Sequence, residues 1–501
     1  MTSSEPTTGY KVAFIHPDLG IGGAERLVVD AALGLQESGN RVKIYTSHCD
    51  PNHCFEEVKD GTLKHQVYGD RLPTHLFGKF FILFANLRQL YLIFQLIWTG
   101  QLNEYDLFIV DQLSTGLPLI HMFSDAKILF YCHFPDQKLA VRDSSLRKLY
   151  RLPFDLLEQF TMSVADKVVV NSKFTRGIYK ETLNFLNTSP EVIYPCVSTS
   201  VSKEIDQIDK QLLTKLINTD KDKFYLSINR FERKKNVSLA LKAFALSERS
   251  KDNDVKLLIC GGYDERVDEN KEYLRELQLE AGNLKLSSST IFYPEYAKNK
   301  DLESFNARKS KVIFLLSISG SLKELLLEKM DLLLYTPSFE HFGIVPLEAM
   351  KHGKPTLAVN SGGPLETIIS YKPGENEATT TGWLREPDEK VWAVAIDEST
   401  KCEGIDFAKN GKERLDKYFS RYAMTHSFET EIEKFIWSKK VIYPWETAVT
   451  SLSFFGIHLL VNFCLPNQNW PFLLLAGVAI VIFRRIFWGI YFLFVFSLSY
   501  E

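Results

Sequence analysis

The stretch KVAFIHPDLGIGGAERLVVDAALGLQESG, residues 11–39, places a strand, a glycine-rich turn and a helix in direct succession. KVAFIHP is the predicted strand, and the helix begins directly after Gly20, Gly22 and Gly23. A buried strand that turns straight into a helix predicts the βα unit of a doubly wound α/β domain with a parallel sheet.

The same alternation of strand and helix continues along the chain and begins again after a polar stretch. The predicted fold class is therefore α/β, with two Rossmann-like domains facing each other across a cleft. A C-terminal α-helical membrane region is predicted from the apolar sequence that follows them. The predicted segments are 10–197 for the first domain, 198–223 for a helical or irregular connection, 224–404 for the second domain, 405–440 for a helix crossing back to the first domain, and 441–501 for the membrane region. Ligands of such folds lie beyond the carboxyl ends of the strands.

Composition excludes some function classes and favours a compartment. The chain has 501 residues and a formal charge of −3, so it carries no basic field that would attract nucleic acid. Its seven cysteines are scattered without zinc-ligand spacing, which favours reduced thiols in the cytosol, although Cys49 and Cys54 could form a disulfide. The first residues, MTSSEPTTG, lack the pattern of a signal peptide.

The C-terminal region differs sharply from the rest of the chain. Between 441 and 501 its only Asp, Glu, Lys or Arg residues are Glu446, Arg484, Arg485 and Glu501. We expect one membrane span, a short return that places the arginine pair at the cytosolic surface, and an interfacial end. A buried helical hairpin of a soluble domain is the alternative.

A second apolar stretch, residues 77–98, lies inside the first predicted domain. If it spanned a membrane, the strands before and after it would lie on opposite sides and could not form one sheet, so we exclude a span. Either it is a buried crossover helix or it lies on a membrane surface. Large apolar residues around most of its circumference favour contact with a membrane.

The glycine-rich turn is a candidate binding element. Gly22 and Gly23 let a backbone approach a phosphate or a sugar closely, and the helix start supplies free N–H groups. A tight turn without a ligand is nearly as good an interpretation of the turn alone. The turn is not the full dinucleotide fingerprint, and no acidic residue clearly caps the second strand for a ribose, so we set a dehydrogenase aside.

LSINRFERKKN, in the second predicted domain, places Arg230 at a strand end and Lys235 at the start of the next helix. Two fixed cations at a cleft suit a diphosphate, because arginine can bind two oxygens and lysine neutralises charge. The alternative is a solvated basic turn.

SFEHFGIVPLEAMKHGKP, residues 338–355, holds Glu340 and Glu348 eight positions apart. Glu340 is predicted in the loop after a strand, and Glu348 about one turn into a helix. Glu340 could accept hydrogen bonds from a sugar and Glu348 from a ribose, while the backbone of Phe342, Gly343 and Ile344 offers N–H groups to a leaving phosphate. The alternative makes Glu348 a capping-box residue and Glu340 a surface charge.

These motifs together resemble the retaining glycosyltransferases of family 4, which have the GT-B fold. The resemblance covers about residues 10–440 and rests on GIGGAERL, NRFERKKN, the segment from Glu340 to Glu348, and AVNSGGPLET. More narrowly, FIHPDLGIGGAERLVVDAALGLQ, YCHFPDQKLA and FEHFGIVPLEAMKHGKP resemble the α-1,3/1,6-mannosyltransferases of dolichol-linked oligosaccharide assembly.

The resemblance implies substrates and a location. GDP-mannose would be the donor and Man1GlcNAc2-diphosphodolichol the acceptor, with an α-1,3 and then an α-1,6 mannose added in N-glycan precursor synthesis. The enzyme would lie in the endoplasmic reticulum membrane with its catalytic domains facing the cytosol. Other cytosolic-face glycosyltransferases of the dolichol pathway are further expected partners.

The resemblance also assigns roles to residues. Glu340 would face the donor sugar, Glu348 the ribose, and Arg230 with Lys235 the diphosphate, while Gly22 and Gly23 line the cleft.

His133, at the end of ILFYCHFP, matches a histidine near the transferred sugar; its alternative is a hydrogen-bonded residue at a strand end. The family glycines beside the two cations are Asn229 and Asn236 here, which puts the shape of that loop in doubt. No metal or other cofactor is expected, because the cations and the helix start can balance the charge of the leaving group.

Two alternative functions remain open. The first is the GlcNAc transferase of phosphatidylinositol anchor synthesis, which shares the two-glutamate segment but fits CHFPD and GIGGAER less well. The second is a catalytically silent scaffold, although silent relatives usually lose the cations or one glutamate and this chain keeps them all.

Overall fold

The structure is a computed structural model that describes residues 9–139, 144–183, 186, 189–197, 205–218, 221–298, 307–402, 404–446 and 448–449. Within these residues the chain forms two seven-stranded sheets, in which every strand pair is parallel. Parallel strands need crossover connections, and helices supply most of them on both faces of each sheet.

The first sheet has the strand order β3-β2-β1-β4-β5-β6-β7. Its strands are β1 Lys11–Asp18, β2 Arg41–His48, β3 His65–Val67, β4 Leu107–Asp111, β5 Lys127–Cys132, β6 Lys167–Val170 and β7 Glu191–Val192. Its helices are α1 Gly23–Glu37, α2 Glu56–Lys59, α3 Phe81–Trp98, α4 Leu117–Phe123, α5 Asp136–Leu139, α6 Ser145–Met162 and α7 Lys173–Thr182. The order reverses between β1 and β4, which places a ligand crevice at their carboxyl ends.

The second sheet has the order β10-β11-β9-β8-β12-β13-β14. Its strands are β8 Lys223–Ile228, β9 Val255–Gly261, β10 Ser288–Phe292, β11 Val312–Leu316, β12 Leu332–Tyr335, β13 Thr356–Val359 and β14 Gly382–Arg385. Its helices are α8 Gln207–Leu216, α9 Val237–Leu246, α10 Asp268–Asn283, α11 Tyr293–Lys298, α12 Gly320–Lys329, α13 Ile344–Lys351, α14 Pro364–Thr367, α15 Glu389–Ser399 and α16 Phe407–Arg414. The order reverses between β8 and β12, so a second crevice opens there.

Central strands are mostly apolar because helices cover both faces of each sheet. β4 (LFIVD) and β9 (VKLLICG) are buried at every position. Each sheet separates two hydrophobic clusters, one on either face. This packing fixes the strand ends that carry the polar residues described below.

The predicted connection between the domains is partly a packed helix of the second domain. α8 buries Leu212, Leu213 and Leu216 in the same cluster as Phe224 of β8. Of the charged residues of this helix, Asp209 is buried and accepts hydrogen bonds from the hydroxyls of Tyr293 and Ser319. Residues 198–204 and 219–220 lie outside the described residues.

The predicted single helix from 405 to 440 is wrong. After α16 the chain makes a π-helical turn, Leu415–Phe419, and a new helix, α17 Arg421–Glu433, begins at the N-cap Ser420. The Ser420 hydroxyl accepts a hydrogen bond from the amide of Ala423, which stabilises the new start. α17 packs on α1 of the first domain, so the chain does cross back, but through two helices.

The predicted start of the membrane region at 441 is too early. Val441, Tyr443 and Glu446 contact the first domain: the Val441 carbonyl and the Glu446 carboxylate lie 2.9 and 3.2 Å from Nε2 of His121. Tyr443 donates its hydroxyl hydrogen to the carbonyl of Ser163. Glu446 is buried, so the packed part of the chain extends at least to that residue. Residues 450–501, which carry most of the predicted membrane region, lie outside the described residues.

α3 is the helix of the described residues that is long and apolar enough to cross a membrane, with a mean hydropathy of 1.4. It connects β3 to β4, and both strands belong to the same sheet, which agrees with the exclusion of a span. A third of it is buried, and its buried side carries Asn86, Arg88 and Gln89.

Candidate active site

The two domains touch at the carboxyl ends of their sheets. The ring of Phe134, after β5, stacks on His341, after β12, with centroids 3.7 Å apart and planes 9° from parallel. Ser172, at the start of α7, donates its hydroxyl hydrogen to the carbonyl of His341 across 2.6 Å. The loops that carry His133 and Glu340 are therefore held next to each other from opposite domains.

A second inter-domain contact is made by a carboxylate at a helix start. Glu366, in α14 of the second domain, accepts hydrogen bonds from the amides of Lys173 and Phe174 at 2.8 Å each. It also accepts one from the hydroxyl of Tyr194 at 2.9 Å. A carboxylate at the N-terminus of α7 is favoured by the unpaired amides and by the helix dipole. Glu366 therefore helps to set the relative position of the two loops.

The glycine turn lies at the start of α1, as the sequence predicts. Gly22 is the N-cap residue in an extended conformation, and Gly23 opens the helix with nothing within 4 Å of the position of a Cβ. The side chain of Glu25 folds back over Gly22, where a Cβ would approach its carboxylate to 2.2 Å. The helix start is therefore open above Gly23 and covered by an acid above Gly22.

His133 belongs to a buried polar group that motif reasoning did not find. Asp111, the last residue of β4, accepts a hydrogen bond from Nε2 of His133 at 2.8 Å. The same carboxylate lies 2.8 and 2.9 Å from Nδ1 of His16 in β1. His16 and Asp111 are almost completely buried, whereas His133 is partly exposed. One carboxylate thus fixes the orientation of two histidine rings.

The charges in this group are strongly coupled. Burial alone would lower the pKa of His16, but Asp111 and Glu25 more than compensate and raise that pKa to about 10. Burial acts to raise the pKa of Asp111, and the two histidines outweigh it, so the pKa lies below its ordinary value. His16 is therefore a cation and Asp111 an anion at neutral pH. Nε2 of His16 is 3.8 Å from Glu25 and has no hydrogen-bond partner among the described residues.

On the second domain, Lys235 and Glu340 form an ion pair. Nζ of Lys235 lies 2.7 Å from a carboxylate oxygen of Glu340, and both side chains are partly buried. Lys235 ends a 3-10 turn, and its carbonyl accepts a hydrogen bond from Thr336 after β12, so the two loops are tied together. Arg230 lies at the end of β8, and 74% of its side chain is exposed. Its guanidinium is thus open to an anion.

The loop that carries Glu340 is held by close backbone packing. Gly343 has a φ of +83° and lies against the ring of Tyr335, so a side chain there would be strained. A Cβ on Gly363 would come within 2.0 Å of the carbonyl oxygen of Phe342, and the amide of Gly363 donates to the carbonyl of Glu340. The side chain of Phe342 is buried against Tyr194, and its backbone packs against Gly363. The GG of AVNSGGPLET is therefore a packing requirement of this loop.

Glu348 is the fifth residue of α13, whose first residue is Ile344 and whose N-cap is Gly343. A capping box needs a side chain at the N-cap and the acid three residues later, so the capping-box alternative is wrong. One oxygen of Glu348 pairs with Nζ of Lys323 at 2.7 Å, and the other is buried without a partner in the described residues. A buried carboxylate oxygen without a partner is costly unless a ligand donates to it.

Four residues of this site are absent from the sequence prediction: His16, Asp111, Lys323 and Glu366. His16 and Asp111 directly follow the apolar runs VAFI of β1 and LFIV of β4, and a polar residue at the end of such a run is the signal that would have found them. Lys323 and Glu366 lie on helices where charged residues are common, so nothing in the sequence marks them. Among the described residues, no cluster of His, Cys, Asp or Glu is arranged to hold a metal ion.

Two family models match the two domains. The model for Glycosyltransferase Family 4 matches residues 21–201, and that for Glycosyl transferases group 1 matches residues 209–418.

Whole-chain relatives are more specific. The chain is 60% identical over 492 residues to the α-1,3/1,6-mannosyltransferase ALG2 of Saccharomyces cerevisiae, with 98% of this chain and 97% of that protein covered. It is 51% identical over 500 residues to the ALG2 of Kluyveromyces lactis, with 99% and 98% covered. The chain belongs to the ALG2 family of glycosyltransferases.

Solved structures agree with the fold expected for the ALG2 family. Sucrose-phosphate synthase from Thermosynechococcus elongatus has a TM-score of 0.61 at 20% identity and covers 85% of this chain and 98% of its own. Anabaena Alr3699/HepE in complex with UDP has a TM-score of 0.59 at 17% identity, with 85% and 100% covered. At these identities the likeness concerns the fold alone, and it confirms two parallel-sheet α/β domains of the GT-B kind.

Proposed function

We propose that the protein is a retaining mannosyltransferase that uses GDP-mannose to extend Man1GlcNAc2-diphosphodolichol by an α-1,3 and then an α-1,6 mannose. One observation carries the proposal. The chain is 60% identical to a yeast α-1,3/1,6-mannosyltransferase. Next to the Phe134–His341 stack between its domains, the second domain carries the Lys235–Glu340 ion pair and the first domain carries the Asp111–His133 hydrogen bond. A donor bound on the second domain would thus face an acceptor bound on the first.

The donor would lie along the second domain from α13 to the end of β8. Glu348 would accept hydrogen bonds from the ribose hydroxyls, using the oxygen that now lacks a partner. Arg230 and Lys235 would bind the diphosphate, and the backbone of Phe342, Gly343 and Ile344 would face the phosphate that leaves. Glu340 would then turn from Lys235 to the mannose hydroxyls.

Transfer needs a proton acceptor and a stabilised leaving group. The acceptor hydroxyl would attack the anomeric carbon on the face from which GDP departs, and its proton would pass to the departing phosphate oxygen. The new bond then keeps the configuration of the donor. His133, oriented by Asp111, would hold the sugar close to that oxygen. Lys235 and Arg230 would balance the charge that develops on the diphosphate, so no metal is proposed.

The proposed location is the cytosolic face of the endoplasmic reticulum membrane. The composition of residues 450–501, whose only Asp, Glu, Lys or Arg residues are Arg484, Arg485 and Glu501, supports a membrane anchor. An anchor would raise the local concentration of a lipid-linked acceptor. Other cytosolic-face enzymes of the dolichol pathway are proposed partners.

The test compares donors on the purified full chain in detergent. We expect GDP-mannose to bind and UDP-GlcNAc not to compete, with binding unchanged by a chelator. Preference for UDP-GlcNAc would favour the GlcNAc transferase of phosphatidylinositol anchor synthesis, and binding of neither donor would favour a silent scaffold. Loss of binding on chelation, restored by manganese, would contradict the metal-free site.

A further inference from the structure

α3 buries polar side chains and exposes large apolar ones, while its buried side also contributes Leu92, Ile93 and Leu96 to the core. Its buried side makes polar contacts: Arg88 donates to the carbonyls of Gly69 and Ser47, and Gln89 donates to the carbonyl of Leu113. Its outer side exposes large apolar residues, among them Leu87, Phe94 and Trp98, the last with 77% of its surface exposed. A helix on the surface of a soluble domain normally places polar side chains on its outer side.

α6 repeats this arrangement. Its buried residues include Arg151 and Asp155, whereas Leu149, Leu156 and Phe160 are exposed, Leu149 at 68%. These three residues have the spacing of seven and four that also relates Leu87, Phe94 and Trp98 on α3. That spacing puts each set on one side of its helix. We call these six residues the apolar face.

The two helices are neighbours, and the chain leaves the first domain beside them. Phe80, next to α3, contacts Tyr150 of α6 with ring centroids 5.8 Å apart. Phe160, at the other end of α6, contacts Trp445 at 5.5 Å. Only a few residues after Trp445 the chain enters the apolar sequence 450–501. The α6 end of the apolar face thus contacts Trp445, shortly before that sequence begins.

Charge on α6 is distributed as an anionic surface would require. Arg147 and Lys148 are exposed in its first turn. The acids of the same helix point inward: Asp155 is buried, and Glu158 accepts hydrogen bonds from the amides of Asp136 and Gln137. Basic residues beside an exposed apolar stripe are typical of a helix that lies in a bilayer interface.

The inner side of α6 holds the loop after His133. Glu158 binds the two amides that open α5, and Arg151 pairs with the carboxylate of Asp136. That loop continues from Phe134, which stacks on His341 of the other domain. α6 therefore has the apolar face on one side and the candidate catalytic loop on the other.

We propose that the apolar face of α3 and α6 lies in the interface of a bilayer and that α6 thereby places the His133 loop at the membrane surface. A bilayer fits better than a protein partner because the face ends where the apolar sequence 450–501 begins and is flanked by exposed cations. The consequence for the acceptor rests on the proposed function: a diphosphate-linked sugar would reach His133 without leaving the headgroup region.

The first test needs neither donor nor acceptor. The full chain is bound to vesicles of phosphatidylcholine and phosphatidylserine that contain a phosphatidylcholine with a diazirine in its acyl chain, and lipid adducts are mapped by mass spectrometry after irradiation. We expect adducts on peptides of both α3 and α6. Adducts confined to 450–501, or to α3 without α6, would overturn the proposal. In a parallel sample a bifunctional amine-reactive cross-linker is added instead; cross-links between Lys148 of two copies, with no lipid adducts on α6, would assign the face to a second copy and overturn the proposal too.

The second test uses matched variants of the full chain. Leu149→Glu with Leu156→Glu should lower both the adducts on α6 and transfer to a long-chain acceptor in vesicles by at least about tenfold, since the burial of even one leucine contributes about that factor. Transfer to a short-chain acceptor in detergent should not change. Leu279→Glu with Val394→Glu, 63% and 67% exposed on α10 and α15, is the control and should leave both unchanged. An equal loss in vesicles and detergent would show a folding defect and contradict a membrane role for these leucines.

Discussion

His16, Asp111 and His133 form a polar group at neighbouring strand ends that is not apparent from the sequence. In the sequence they are three separate polar residues, in FIHPD, IVDQ and YCHFP. In the structure β1, β4 and β5 are neighbours, so one buried carboxylate binds both rings. Asp111 is a positioning residue: it holds His133 in one orientation and does so with the help of a charged His16. Sequence predicted His133 alone, because only its resemblance to a family motif marked it.

The pH dependence of stability tests the charge on His16. Its pKa is raised to about 10 in the folded chain and is about 6.5 when unfolded, so its stabilising contribution is complete below pH 6.5 and is lost as pH rises to 10. The difference in melting temperature between wild type and His16→Gln should therefore shrink over that range. The contribution of His16 to the free energy of unfolding falls by at most about 1.4 kcal/mol per pH unit. His48→Gln, which changes an exposed histidine paired with Asp70, is the control and should show no such trend. A constant difference would mean that His16 is neutral.

Glu348 and Glu324 provide a test residue and a matched control for nucleotide binding. Both are carboxylates that join α12 to α13: Glu348 pairs with Lys323, and Glu324 pairs with Lys351 and His352. Only Glu348 keeps a buried oxygen for a ribose.

Glu348→Ala should weaken GDP binding by about ten- to a hundredfold, the range for a lost hydrogen bond to a charged group. Glu324→Ala should leave GDP affinity unchanged even if it lowers the melting temperature. The GDP affinity of both variants can be measured by titration calorimetry. Equal affinities of Glu348→Ala and Glu324→Ala for GDP would refute the ribose role of Glu348.

At the scale of elements, long periodic segments were predictable and short or broken ones were not. The strands and helices from β1 to α1 and from β12 to α13 follow from apolar runs, glycine turns and the proline in the first turn of α13. β3 and β7 were missed because two or three residues carry no readable period. β14, GWLR, was missed because it begins with glycine and ends with arginine and so forms no apolar run. The break between α16 and α17 was missed because the sequence on both sides of Ser420 favours a helix. The break depends on the hydrogen bond that the Ser420 hydroxyl accepts at the start of α17.

A substitution of Gly363 tests how the loop that carries Glu340 is held in position. Gly363→Ala would push a Cβ into the carbonyl of Phe342, so the loop must move. A displacement near 1 Å should lower turnover about a hundredfold. Gly282→Ala in α10, where a Cβ meets nothing within 4 Å, should leave turnover unchanged and stabilise the helix by up to about 1 kcal/mol. Normal turnover in Gly363→Ala would show that the loop position is not critical.

At the scale of the molecule, the order of elements predicted two domains with a cleft, but not what joins them. The Phe134–His341 stack and the Glu366 cap come from residues far apart in sequence, and no local pattern reports such pairs. The end of the packed chain was also misplaced, because the apolar composition after Lys440 hides a buried glutamate that contacts His121.

Two truncations test this end of the molecule. A chain ending after Lys440 loses Tyr443 and Glu446, whereas one ending after Val449 keeps their contacts with the first domain. We expect the shorter chain to melt lower, by about 2–4 °C for each kcal/mol lost. GDP binding should survive in both, since every proposed donor residue precedes 440. Equal melting temperatures would show that the contacts of 441–446 do not contribute.

The most direct test of the central claim is product analysis with a synthetic lipid-linked Man1GlcNAc2 acceptor, GDP-mannose and the full chain, in wild type and Glu340→Gln. We predict that wild type adds two mannoses, one in α-1,3 and then one in α-1,6 linkage. Glu340→Gln should bind GDP normally but transfer little, because its side chain no longer orients the donor sugar. Addition of no mannose by wild type, or of β-linked mannose, would contradict the account.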